Sequence, residues 1–75
     1  MMERKLKIGK TIRMLRLHDK RTQTDLANAL NISPQAVSRW EIGASFPDIT
    51  LLPAIARYFG VSIDALFCDS AEPKA

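Results

Sequence analysis

The apolar positions of this chain recur at helical spacing. Ile8, Ile12 and Leu15 fall at i, i+4 and i+7, one face of a helix predicted over about residues 5–18. At roughly 100° per residue, Lys5, Gly9, Arg13, Arg16 and Lys20 gather beside that stripe, with Arg16 nearest its apolar edge. A second helix is predicted over Gln23–Leu30, with Leu26, Ala29 and Leu30 inward. Thr22 is its N-cap, and Asp25 three residues on gives a capping box with a shorter acid than usual. Asn31 tolerates the left-handed conformation that a sharp turn requires.

The pattern then repeats. Ser33 caps a third helix over Pro34–Glu41, and Pro34 takes the first helical position, where its missing N–H does no harm. Val37 and Trp40 point inward; Gln35, Ser38 and Arg39 are left outside. Gly43 stops this helix, and residues 44–47 form a loop. A fourth helix is predicted over about residues 49–59, with Leu52, Ile55, Ala56 and Phe59 inside. Pro53 leaves its start open. Either Thr50 is the N-cap and Pro53 sits in the first turn, or Asp48 is the cap and the first turn is irregular. Gly60 ends it, and Ser62 caps a short fifth helix carrying Ile63, Leu66 and Phe67. The expectation is one all-α, five-helix domain over residues 1–69, with residues 70–75 a frayed tail or the start of a linker.

Composition narrows the class. A chain of 75 residues makes one domain at most. At about 60% burial of its unfolded surface, its core is marginal. The 47% apolar content argues against disorder. No apolar run reaches the ~18 residues of a membrane span. Arg57 and Asp64 interrupt the most apolar third, and the start opens no secretory signal. The lone Cys68 forms no internal disulfide, which fits a reducing, cytoplasmic setting, and reads as a small packing residue. Charge is uneven. Residues 1–21 carry a balance of +6 and the remainder −3, a directional field that suits a polyanionic partner for one face.

Enzyme chemistry is not expected. There is no Gly-rich phosphate loop, no metal-ligand cluster and no Ser/Cys–His constellation, so no cofactor or metal is assigned. His18 reads as a surface residue, and Trp40, beside Val37, as core rather than a stacking platform. What remains is the Gln23–Trp40 unit, two short helices joined by a tight turn. Leu26, Leu30, Ile32, Val37 and Trp40 are apolar, Ala27 is small, and Asn31 holds the turn. That is the pattern of a DNA-binding helix-turn-helix, whose second helix enters the major groove.

Longer stretches resemble a known family. Gln23-Thr-Asp-Leu-Ala-Asn-Ala-Leu, Ser33-Pro-Gln-Ala-Val-Ser-Arg-Trp-Glu-Ile-Gly and Leu52-Pro-Ala-Ile-Ala-Arg-Tyr-Phe-Gly-Val-Ser-Ile-Asp-Ala-Leu-Phe are similar to the phage repressor/Cro-type helix-turn-helix family. The resemblance covers about residues 8–67. It implies a five-helix domain that binds near-palindromic operator DNA as a dimer, in a bacterial or phage setting. It places Gln35, Ser38 and Arg39 at base-reading positions. Gln pairs with adenine and Arg with guanine through bidentate hydrogen bonds. Gln23 falls where the family grips a phosphate, at a helix N-terminus that favours anions. Ser33, Arg13, Arg16, Lys20 and Arg21 are further expected phosphate contacts. Arg16 and Glu41 fall where the family places an ion pair bracing helix one against helix three.

Two departures carry consequences. Where the family often has Gly and an apolar residue before Thr-Gln, this chain has Lys20-Arg21. A left-handed Lys20 costs about 1 kcal/mol. The loop after the third helix lacks the basic residues common in phage repressors, which predicts few phosphate contacts and a modest salt slope, near −0.9 per contacted phosphate. Small size and the apolar Phe46, Ile63 and Phe67 motivate a homodimer, with recognition helices about 34 Å apart on DNA. The competing reading is an antitoxin-like interaction module that binds a toxin and regulates its own operon. A chain continuing into an effector domain is compatible with either.

Overall fold

One side chain from each helix meets at the centre of the domain. A computed structural model describes residues 7–67. Within them lie α1 (Ile8–His18), α2 (Gln23–Leu30), α3 (Pro34–Glu41), α4 (Leu52–Phe59) and α5 (Ile63–Phe67), and no strand. Ile12, Val37, Leu26, Ile55 and Leu66, one per helix, are fully buried. Each joins elements distant in sequence, so truncation of any one to alanine should cost about 2–5 kcal/mol. A domain of this length has only roughly 4–11 kcal/mol of total stability. Ile8, Ala27, Leu30, Trp40, Leu52 and Ala56 complete the core. α2 and α3 pack on one another, α1 lies across α3, and α5 closes against α1 and α4.

The helix ends explain why such short helices persist. Thr22 Oγ1 accepts from the Asp25 N–H at 2.9 Å, and the Asp25 carboxylate accepts from the Thr22 N–H at 2.9 Å, so the capping box is complete. Ser33 and Ser62 cap α3 and α5 through the N–H groups of Ala36 and Ala65. Helices α1 to α4 all end in the same way. The residue after the C-terminal turn is left-handed, and the next N–H reaches five residues back: Arg21 to Arg16, Ile32 to Ala27, Ala44 to Arg39 and Val61 to Ala56. This is the Schellman geometry. Asn31, at φ +64, and Lys20, at φ +58, occupy left-handed positions without being glycine. Lys20 carries the greater strain, because asparagine tolerates this region and lysine has no such local compensation.

Two expectations need correction, and the open start of α4 is decided. α1 begins at Ile8, later than the predicted start near Lys5, which itself lies outside the described residues. Ala29 is exposed, whereas Ala27 lies in the core. Pro53 takes the irregular solution. Asp48 accepts the Thr50 N–H at 3.1 Å, a 3-10 turn runs over Ile49–Leu51, and Pro53 falls in the first turn of α4. There its missing N–H breaks no bond. Finally, the stripe beside the apolar face of α1 divides. Gly9 and Arg16 are buried, whereas Arg13 and Lys20 are exposed. A Cβ on Gly9 would lie 1.7 Å from the Trp40 carbonyl oxygen, so α1 crosses α3 at a point where only glycine fits. Cys68 and the predicted tail at residues 70–75 lie outside the described residues.

Candidate nucleic-acid interface

α3 is anchored by its back and open at its front. Val37 and Trp40 are sunk in the core at 0% and 5% exposure. Gln35 and Arg39, four residues apart, are exposed on the opposite side, with Ser38 half-buried beside them. Spacings of i+3 and i+4 put all three on one face. At its N-terminus, Ser33 uses its hydroxyl oxygen to accept from Ala36, 3.3 Å away. The outward row can therefore meet a groove without repacking the core.

A buried polar cluster fixes how α3 sits. Arg16 of α1 donates from Nε to Glu41 Oε2 at 2.7 Å and from Nη2 to Glu41 Oε1 at 2.9 Å, a bidentate pair. Its third nitrogen, Nη1, donates to the Arg21 carbonyl at 2.9 Å. Gln23 donates from Nε2 to the same Glu41 Oε1 at 3.0 Å. One carboxylate thus ties the end of α3 to α1 and to the first residue of α2. Burial pushes the Glu41 carboxyl up, but the hydrogen bonds from Arg16 and Gln23, with the fields of Arg16 and Arg13, outweigh it and hold it below the usual glutamate range. The bond to Glu41 raises the Arg16 pKa against the effect of burial. Among the described residues no buried side-chain nitrogen or oxygen lacks a partner. Removing one member of such a pair strands the other and costs about 3–5 kcal/mol.

The remaining cations divide. Arg16 is 8% exposed and all three of its nitrogens are engaged within the domain, so the cluster holds it as a brace. Gln23 is half-buried, and its carboxamide is committed to Glu41. Arg13 and Lys20 are exposed. Arg21 is exposed too, yet held: its Nη1 donates to the Tyr58 hydroxyl at 2.9 Å, and its Cζ lies 4.7 Å from the centroid of the Tyr58 ring. After α3 the surface turns apolar, with Ile42, Phe46 and Ile49 at 75%, 55% and 72% exposure.

Three features of this site escaped the sequence reading. A glycine inside a helix is unfavourable by about 1 kcal/mol and asks for a packing reason, so Gly9 was a readable signal. Gln23 meets Glu41, 18 residues away, and Arg21 meets Tyr58, 37 residues away; no local pattern announces either pairing. Among the described residues, no group of three or more His, Cys, Asp or Glu side chains is placed to hold a metal ion. No helix there is long and apolar enough to cross a membrane.

This framework is shared with known proteins. The helix-turn-helix family model matches residues 12–66. The chain belongs to the phage repressor/Cro-type helix-turn-helix family. Among solved structures, the P22 c2 repressor in complex with a synthetic operator has a TM-score of 0.75 at 30% identity, over 80% of this chain and 91% of that one. The HTH-type transcriptional activator BcrR of Enterococcus faecalis is 34% identical over 61 residues, which is 81% of this chain but 30% of BcrR. The chain spans about a third of the length of the curated relatives it matches. FeII HppE matches with a TM-score of 0.74 at 28% identity, over 84% of this chain and 33% of that one. The same domain thus recurs within longer chains, and the fold alone does not fix a function.

Proposed function

We propose that this protein is a sequence-specific double-stranded DNA-binding transcriptional regulator that places α3 in the major groove of an operator. The observation that carries this reading is the division of α3, with Val37 and Trp40 locked in the core and Gln35 and Arg39 exposed together on the far side. Gln35 and Arg39 read base edges, and Ser38 takes a weaker part. Arg13, Lys20, Arg21, Ser33 and the N-terminus of α2 at Gln23 contact phosphates. Arg16 acts through Glu41 rather than on DNA, since its nitrogens are already bonded. Repression by occupying the site is favoured over activation. The P22 c2 repressor is matched over 91% of its chain, whereas BcrR shares only 30% of its length.

Binding as a homodimer on a near-palindromic site follows from the marginal size of one domain and from the sparse phosphate contacts available to it. Selection of bound duplexes from a random library, at a fixed salt concentration, tests all of this together. The expected product is an inverted repeat with half-sites one helical turn apart. Recovery of unselected sequence, or of single-stranded nucleic acid in preference to duplex, would sink the reading.

A further inference from the structure

The pairing of Arg21 with Tyr58 is not needed to close the core. Arg21 is exposed, and the fold is already tied at this corner by the Arg21 main chain, whose carbonyl accepts from Arg16 and whose N–H donates to the Arg16 carbonyl at 2.9 Å. The side-chain contact therefore does something else. It fixes the direction of a cation that stands one residue before the N-cap of α2 and two before Gln23. From this geometry we infer that Tyr58, on α4, is a positioning residue for DNA binding: it holds the Arg21 guanidinium ready for a backbone phosphate at the N-terminus of α2 without touching the nucleic acid itself. The inference rests on the DNA-binding reading above and deepens it.

The physical reasoning has three parts. A free arginine side chain loses most of its rotamer freedom when it settles on a phosphate, and that loss weakens binding. Tyr58 removes part of it beforehand. Its half-buried ring, set edge-on to Phe59 with centroids 5.0 Å apart, is a fixed wall. The ring face attracts the guanidinium, and the hydroxyl accepts one N–H. Second, the contact uses little of what arginine offers. A guanidinium carries five N–H donors in a rigid fork. Tyr58 takes one from Nη1, and the others stay available to phosphate oxygens. Third, α2 supplies a helix N-terminus at the same place, where an anion is favoured by the helix dipole. The Asp25 carboxylate, tied back into the cap, is held below the usual aspartate range by its bonds to Thr22 and by the field of Arg21; it stays ionised there, so a phosphate at this place needs the Arg21 cation beside it.

The test compares wild type, Tyr58→Phe, Arg21→Ala and the double variant on the duplex recovered by selection and on a scrambled duplex, each across a salt series. Tyr58→Phe keeps the ring and its packing on Phe59 and removes only the hydroxyl. It should weaken both duplexes alike, by about three- to tenfold, the range set by freeing one long side chain. Arg21→Ala should weaken binding and reduce the steepness of log K against log salt by about 0.9, one phosphate contact. In the Arg21→Ala background, Tyr58→Phe should change affinity by less than about 1.5-fold, because residues in contact are not additive and the hydroxyl acts only through Arg21. Equal losses in both backgrounds would mean that Tyr58 acts only through folding and would overturn the proposal. So would tighter binding by Tyr58→Phe, or an unchanged salt slope in Arg21→Ala, and in either case the DNA-binding reading would stand. If wild type itself selects no duplex, both fall together.

Discussion

The crossing of α1 over α3 at Gly9 makes a demanding prediction. Alanine is the better helix former by about 0.8–1.0 kcal/mol, so Gly9→Ala in an isolated helix would stabilise. In this domain the new Cβ would lie 1.7 Å from the Trp40 carbonyl oxygen, 2.7 Å from its carbon and 3.3 Å from the Glu41 Cα. Carbon and oxygen rest at roughly 3.3 Å or more, so α3 would have to withdraw by about 1.5 Å. The obstacle is backbone and has no rotamer to change. Overpacking alone costs about 1–3 kcal/mol, and the same withdrawal pulls Glu41 off Arg16, from which it is now 2.7 Å away. Net of helix propensity, the loss should be about 2–4 kcal/mol, or a melting temperature lower by roughly 8–30 °C for a domain this small. Urea titrations followed by far-UV circular dichroism give the free energy, and an unchanged m-value confirms that the native state is the one affected. Gly43→Ala is the control. Gly43 is at φ +82 with open space around its Cβ position, so it should lose only about 1 kcal/mol. Gly9→Ala as stable as wild type, or no worse than Gly43→Ala, would refute the close-approach argument.

Other outcomes follow from the same geometry. Lys20→Gly should gain about 1 kcal/mol, some 4–8 °C in melting temperature, by relieving the left-handed backbone at φ +58; a loss in thermal melts would show that the strain is offset elsewhere. Glu41 has a lowered folded-state pKa, so its contribution is fully present above about 4.5 and is lost as pH falls through the lower folded value. Glu41→Gln should accordingly be less stable at neutral pH and show a flatter stability curve between about pH 5 and 3, with residual slope from Asp25 and Asp48; identical slopes would remove Glu41 from the account. Gln35→Ala should cost roughly 1–3 kcal/mol on the selected duplex and relax discrimination at one or two base pairs, read by competition binding. Unchanged affinity and preference would mean that α3 does not face the groove as proposed.

The sequence made the α2–turn–α3 unit legible because its signals are local. Thr22, Asp25, Ser33, Pro34 and Asn31 each act within a few residues, and α2 and α3 start and stop where they dictate. The start of α4 was undecided because Asp48 and Thr50 are both competent caps; the choice fell to Asp48, which binds the Thr50 N–H and hydroxyl together. Ala29 stands three residues from Leu26, at the edge of the inward arc, and only how far the neighbouring helices reach around α2 decides that it stays exposed. Helical periodicity places Gly9 and Arg16 beside the apolar stripe, Arg16 at its edge, but gives only direction around an axis and says nothing of how closely the next helix approaches. Their burial is a property of the crossing.

That crossing changes what the charge of the chain means. By sequence, residues 1–21 carry a balance of +6 that invites a strong, unspecific grip on a polyanion. The fold withdraws Arg16 into a bidentate pair with Glu41 and sets Arg21 against Tyr58. The loop after α3, where further cations would extend the grip, presents Ile42, Phe46 and Ile49 instead. On the proposed reading, each phosphate contact contributes about −0.9 to the salt slope. Lys7, Lys10, Arg13 and Lys20 stay exposed on the same stretch, so a grip on arbitrary duplex remains, and on the proposed reading selectivity must come from the base-reading row on α3. If two copies bind as proposed, spaced to a palindrome, their two reading rows add to that selectivity. Arg16, which would tighten a monomer on any DNA, is used instead to hold α3 at the angle from which, on that reading, it meets the groove.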